Sequence, residues 1–130
     1  MNQAMKNKEF VLEYLNVLSG KVKTAEAIAH YVSDQPLIEH ILFFDSVFPK
    51  YELIADDLVE EGNKVIVRAQ MIGKHEGVFG DIPPTHRRVE MPMVVGYVIE
   101  NNKIISHWLV ADQMLLMQQL GVEPEAAAAH

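Results

Sequence analysis

The hydrophobic period of this chain changes at Pro49, and that change limits the folds open to it. Before Pro49, Phe10, Val11, Tyr14, Leu15 and Leu18 recur at the spacing of one helical face. Ser19-Gly20 then supplies a stop. Thr24 is placed to cap a short second helix that turns Ile28, Tyr31 and Val32 inward. Asp34-Gln35-Pro36 reads as a third start, because proline is tolerated in a first helical turn. Leu37, Ile38, Ile41, Leu42 and Phe48 form the buried stripe of that helix.

After Pro49 the period is two. The sequence predicts a strand over 51–60, a hairpin turn at Glu61-Gly62-Asn63, and a second strand over 64–72. A long loop with Gly77, Gly80, Pro83 and Pro84 follows over 73–88. Strands over 89–99 and from 103 to about 111 flank an Asn101-Asn102 turn, and a last helix over 114–120 ends at Gly121. Helices first and then an antiparallel meander is the α+β pattern.

With 130 residues, there is room for one domain, expected over 1–121, with 122–130 a tail outside it. Cysteine is absent, which removes disulfides, thiol catalysis and cysteine-ligated zinc. Lys and Arg number 11 against 18 Asp and Glu, a net charge of −7 that disfavours nucleic-acid partners. No apolar stretch approaches the ~20 residues of a membrane span, and the amino terminus has no signal-peptide pattern. A cytoplasmic protein is the expectation, with no membrane partner.

The strand over 89–99 bears on assembly. One parity carries Met91, Met93, Val95, Tyr97 and Ile99, and the other Val94, Gly96 and Val98. Both faces are apolar, where a sheet with one wet face would alternate. The helices cover one face. A second subunit is the economical cover for the other, so a homodimer through the sheet is expected.

Several residues are candidates for chemistry. Trp108, Val110 and Asp112 share a parity on the last strand, with Trp108 and Asp112 roughly 13 Å apart. A carboxyl at the end of an apolar strand face is poorly solvated, which raises its pKa toward general-base values. Asp112 also stands just before a helical run, where it would be an N-cap. The two roles are compatible. Arg68, mid-strand between Val67 and Ala69, reads first as part of a solvated face and otherwise as a pocket cation. His75, where a strand gives way to a loop, reads first as exposed and otherwise as catalytic. His30, His40, His86 and His107 lack metal-ligand spacing, so no metal is expected. No P-loop, dinucleotide fingerprint or Gly-x-Ser-x-Gly elbow occurs.

Taken in order, these residues resemble the SnoaL-like polyketide cyclase and ester cyclase family. Phe48-Pro49 and the run Asp57-Leu58-Val59-Glu60-Glu61-Gly62-Asn63-Lys64-Val65, with Arg68 beyond it, are similar to the start of its sheet. Gly73-Lys74-His75-Glu76-Gly77 resembles its Gly-Thr-His-x-Gly element, and Ile82-Pro83-Pro84-Thr85 its Pro-Pro-Thr-Gly loop. His107-Trp108-x-x-x-Asp112, followed by Gln118-Gln119-Leu120-Gly121, resembles its ending. Lys50, Asn63, Lys74 and His86 depart from the pattern.

The resemblance implies a nuclear transport factor 2-like fold: helices packed on a curved, mostly antiparallel sheet that forms a cone around an apolar pocket. It also implies an aspartate acid/base at the position of Asp112. That group would take a proton beside a carbonyl, giving an enolate that attacks a second carbonyl to close a ring. No cofactor is needed for this chemistry. His75 and Arg68 are then the candidate polarising or orienting groups, and Trp108, Val110, Phe44 and Phe48 the expected pocket residues. The ligand would be a small apolar carbonyl compound. Two other readings stand beside this one. In the first, Arg68 and Asp57 would serve water attack on an epoxide; in the second, a dimeric pocket protein would bind an apolar ligand without turning it over.

Overall fold

A computed structural model describes residues 6–122. The elements are α1 (Asn7–Leu18), α2 (Ala25–Ala29), α3 (Gln35–Val47), β1 (Glu52–Glu61), β2 (Lys64–Lys74), β3 (Arg88–Glu100), β4 (Lys103–Ala111) and α4 (Gln113–Leu120). The expected order therefore holds, and the strand boundaries extend by one to two residues at several ends.

Most local signals have a counterpart, although Phe48 lies just past the end of α3 and Leu42 is only partly buried. In α1, Phe10, Val11, Tyr14, Leu15 and Leu18 are the buried residues. Thr24 caps α2 by accepting from the Ala27 N–H at 3.1 Å. Pro36 sits in the first turn of α3. Asn101 and Asn102 both adopt positive φ, as the tight β3–β4 hairpin requires.

The four strands form one antiparallel meander in the order β1-β2-β3-β4. Val65, Val67, Ala69 and Met71 of β2 face the helices, beside Val95, Tyr97 and Met91 of β3. Two core clusters result. One joins α1, α2 and α3 to the middle of the sheet, and the other joins Phe48, Met71, Met91, Leu116 and Leu120 where α4 returns onto β3. β4 stops opposite Met93, so Glu90 has no strand neighbour on that side. Gln119 takes the place of one: its Oε1 accepts from the Glu90 N–H at 2.7 Å and its Nε2 donates to the Glu90 carbonyl at 2.9 Å.

Two bulges decide which side chains enter the interior. In β1 the register slips between Ala55 and Asp57, and along the β3–β4 ladder it slips between Val98 and Ile99. The second places Ile104 opposite Ile99 but Ser106 opposite Val98, so Ile105 is extra. An extra residue reverses the facing of everything after it. His107, Leu109 and Ala111 consequently turn inward, opposite Tyr97, Val95 and Met93. Trp108, Val110 and Asp112 turn outward.

The outer face is apolar at its centre. Trp108 is 49 % and Val110 65 % exposed, with Ile54 and Ile66 also exposed. Gly96, opposite Trp108, is where the indole lies down: a Cβ there would fall 2.2–2.6 Å from three ring atoms. Part of the second cover over β3 thus comes from the chain's own tryptophan. No helix among the described residues is long and apolar enough to cross a membrane.

Candidate active site

An apolar cavity opens between α3 and the inner face of the sheet. Leu37, Ile41 and Phe44 line it from α3, and Leu53, Val95 and Leu109 from the strands. Met71, Met91 and Met93 form much of the remaining wall. Its volume is about 40 Å³, room for a few waters. A larger ligand enters only if side chains move, and three flexible methionines make that rearrangement inexpensive.

The polar residues on this wall are Tyr14, Tyr51, Tyr97, His40 and His107. Tyr97 is the register partner of His107, so both point inward at one level of the sheet. Burial pushes the Tyr14, Tyr51 and Tyr97 phenols well above the ordinary tyrosine range, which keeps them neutral donors. Behind Tyr51 stands a buried cation: Lys23 Nζ lies 4.1 Å from the ring centre and donates to the Lys21 and Tyr51 carbonyls, both at 2.9 Å. Burial pushes the Lys23 ammonium down, opposed by Asp45 at 3.5 Å.

Asp34 supplies the most informative contact. It occupies the N-cap position of α3 but makes no side-chain cap bond. Its Oδ2 instead lies 2.7 Å from His107 Nδ1, and both side chains are largely buried. A carboxylate can only accept, so Nδ1 carries the proton and Nε2 is left as the basic nitrogen of a ring on the cavity wall. His40 shares that wall and stacks on Phe44 with ring centres 4.7 Å apart. Burial lowers the pKa of His40, and the neighbouring His107 lowers it further.

The structure places the residues singled out from the sequence as follows. Phe44 lines the cavity. Phe48 is fully buried beside it, packed against Phe44, Phe79 and His75. Trp108 and Val110 do not line the cavity, because the β4 bulge turns them to the outer face. Asp112 follows them outward and is exposed. Its Oδ1 accepts from the Leu115 N–H at 3.0 Å, capping α4. Arg68 is exposed on the outer face, with Asp57 as its cross-strand partner. Arg68, Asp56 and Asp112 border an open groove there. The arginine and carboxylate considered for epoxide opening therefore lie outside the enclosed cavity.

His75 is fully buried, contrary to its reading as an exposed loop residue. Its Nδ1 accepts from the Thr85 N–H at 3.1 Å, and its backbone exchanges bonds with His86 and Arg87. Nε2 is buried without a partner among the described residues. The ring is thus the peg that holds the 75–87 loop, whose Phe79 packs on Phe43, Phe44 and Phe48. Burial lowers its pKa, with the Gly77 backbone opposing and His86 and Glu76 adding smaller effects of opposite sign. A histidine with a depressed folded pKa binds its proton more readily when unfolded, so stability falls as pH drops below the unfolded value of about 6.5. Tm measured from pH 7.5 to 5 should fall, and His75→Gln should make that slope shallower; an unchanged slope would show that His75 does not set it.

The sequence profile of the SnoaL-like polyketide cyclase family matches residues 20–120. The chain belongs to that family. Solved structures agree on the fold of this SnoaL-like protein. TsrD from Streptomyces laurentii superposes with a TM-score of 0.78 at 22 % identity, covering 94 % of this chain and 100 % of its own. A SnoaL-like polyketide cyclase from Agrobacterium tumefaciens gives 0.75 at 22 %, covering 91 % and 100 %. IdmH from Streptomyces antibioticus gives 0.76 at 19 %, again covering 91 % and 100 %. No curated protein matches the chain. The SnoaL-like fold is thus an α+β cone, with α1–α3 over the inner face of a curved sheet.

Within this SnoaL-like chain, Asp34, His40 and His107 carry no local sequence signal that marks them as site residues. His107 belongs to the His-Trp-x-x-x-Asp run, but parity from Trp108 selects the opposite face. Asp34 reads locally as a helix start. Replacing Asp112 by alanine should cost about 0.5–2 kcal/mol of stability, the usual loss for an N-cap, and leave ligand binding in the cavity intact. A collapse of binding in a folded Asp112→Ala protein would return that residue to the site.

Proposed function

We infer that this protein is a cofactor-independent acid/base enzyme of the cyclase type, acting on a small apolar carbonyl compound. The observation that carries this reading is His107 on the wall of an apolar cavity, with Asp34 bonded to its Nδ1. His107 Nε2 takes the proton beside the carbonyl, and Asp34 holds the ring and offsets the imidazolium charge. The enolate oxygen forms among neutral phenol donors, of which Tyr97 lies beside His107. The enolate carbon then attacks a second carbonyl held in the same cavity, and the imidazolium returns its proton to the new alkoxide.

The probe is 4-phenylbutan-2-one in deuterium oxide, with exchange of its α-protons followed by NMR. The protein should accelerate exchange over buffer, and His107→Asn should remove the acceleration. Exchange no faster than in buffer would overturn the reading.

The reading includes a homodimer through the outer face. Trp108, Val110, Ile66 and Ile54 are exposed there, and Arg68 shares the groove with Asp56 and Asp112. A two-fold axis would set the cation of each copy against the carboxylates of the other. Light scattering should give a dimer that Val110→Glu converts to a monomer. A wild-type monomer at every concentration would refute it.

A further inference from the structure

Ring closure by aldol addition leaves a β-hydroxy carbonyl compound, which still carries a removable proton beside its carbonyl. The cavity that holds His107 also holds His40, on the helix face that runs from Asp34 through Leu37 to Phe44. Among the described residues, no lysine or arginine lines this cavity. Expulsion of an anionic leaving group would find no cation there, whereas a hydroxyl can leave as water if an imidazole delivers a proton.

Resting on the function inferred above, we propose that the same site also dehydrates β-hydroxy carbonyl compounds, with His107 moving the proton and His40 positioning the departing hydroxyl. His107 Nε2 takes the α-proton, and the C–H electron pair passes through the enolate to become the new C=C bond. The C–O bond breaks with its electrons going to oxygen, and that oxygen takes the proton back from the His107 imidazolium. The products are a conjugated enone and water, and His107 returns to its starting form. No oxidant, metal or second proton donor enters the balance. One base serving both steps requires proton and hydroxyl to leave from the same side of the molecule.

His40 suits the positioning role for two reasons. Its ring is held by stacking on Phe44, so its nitrogens have a defined direction. Its lowered pKa keeps it neutral near pH 7, able to hold the hydroxyl oxygen by donating its one ring N–H while His107 delivers the proton.

The test uses 4-hydroxy-4-phenylbutan-2-one, whose dehydration gives a strongly absorbing enone, beside the exchange assay with 4-phenylbutan-2-one. The wild type should form enone and exchange protons. His40→Phe keeps a ring against Phe44 and removes the hydrogen bond, so the ratio of elimination to exchange should fall about 10-fold. Exchange without enone formation overturns the dehydration proposal alone, as does an unchanged ratio in His40→Phe. Loss of both activities in the wild type overturns the function on which it rests. Loss of both in His40→Phe alone, in a folded protein, assigns His40 to proton abstraction and overturns its positioning role.

Discussion

Proton exchange in the His107→Asn protein should be lower than wild type by about 10²–10⁴-fold, the range for removing a positioned general base. The ring is held on both sides: by Asp34 at 2.7 Å through Nδ1, and by its place in β4 opposite Tyr97. Asparagine leaves the strand ladder intact and cannot take a proton at neutral pH. Asp34→Asn should act in the same direction with a smaller loss. The amide oxygen can still accept from Nδ1, but the negative charge that steadies the imidazolium is gone. Both side chains of the pair are largely buried, so each variant should melt below wild type, and exchange is compared at a temperature where circular dichroism shows both folded. Full exchange activity in His107→Asn with loss in Asp112→Ala would reverse the assignment.

Gly77→Ala should be the most destabilising single methyl addition in the chain. Its Cβ would sit 2.0 Å from the Ser46 carbonyl oxygen and 3.2 Å from Val47 Cα. Those neighbours are backbone, so no rotamer change relieves the clash. The Glu76 and Gly77 N–H groups both donate to the Val47 carbonyl at 3.0 Å, which ties the loop to the end of α3. Overpacking of this kind costs about 1–3 kcal/mol, occasionally more. At this length each kcal/mol lowers Tm by roughly 3–6 °C. Gly62, with nothing within 4 Å of an added Cβ, is the control and should show only the cost of its positive φ, about 1–2 kcal/mol. A Tm for Gly77→Ala above that of Gly62→Ala would contradict the close approach. The loop also carries Phe79 onto Phe44, so displacement should weaken ligand binding in the cavity.

The cap, turn and glycine signals were legible because each depends on a few neighbouring residues. Thr24 and Asp112 cap their helices. The site was less legible. Asp34 has the sequence context of a cap, yet its carboxylate goes to His107, seventy-three residues away. The bridge from Val32 to Ile104 and the Ser33 and Asp34 N–H bonds to the Ile104 carbonyl bring the two together. His75 stands between glycines in a turn-rich segment, where exposure is the ordinary expectation. Its burial follows from the way the 75–87 loop folds back over Phe48 and the end of α3.

By itself the sequence determined the order and kind of the elements, since a helix or strand is specified by periodicity over one or two turns or a run of alternating residues. It also determined that β3 would be apolar on both faces. The tertiary structure alone decided which face of β4 meets the interior. One extra residue at Ile105, opposite the Val98–Ile99 step, exchanges Trp108, Val110 and Asp112 for His107, Leu109 and Ala111. A bulge is a property of two strands paired at a chosen register, and nothing within β4 alone distinguishes the two facings.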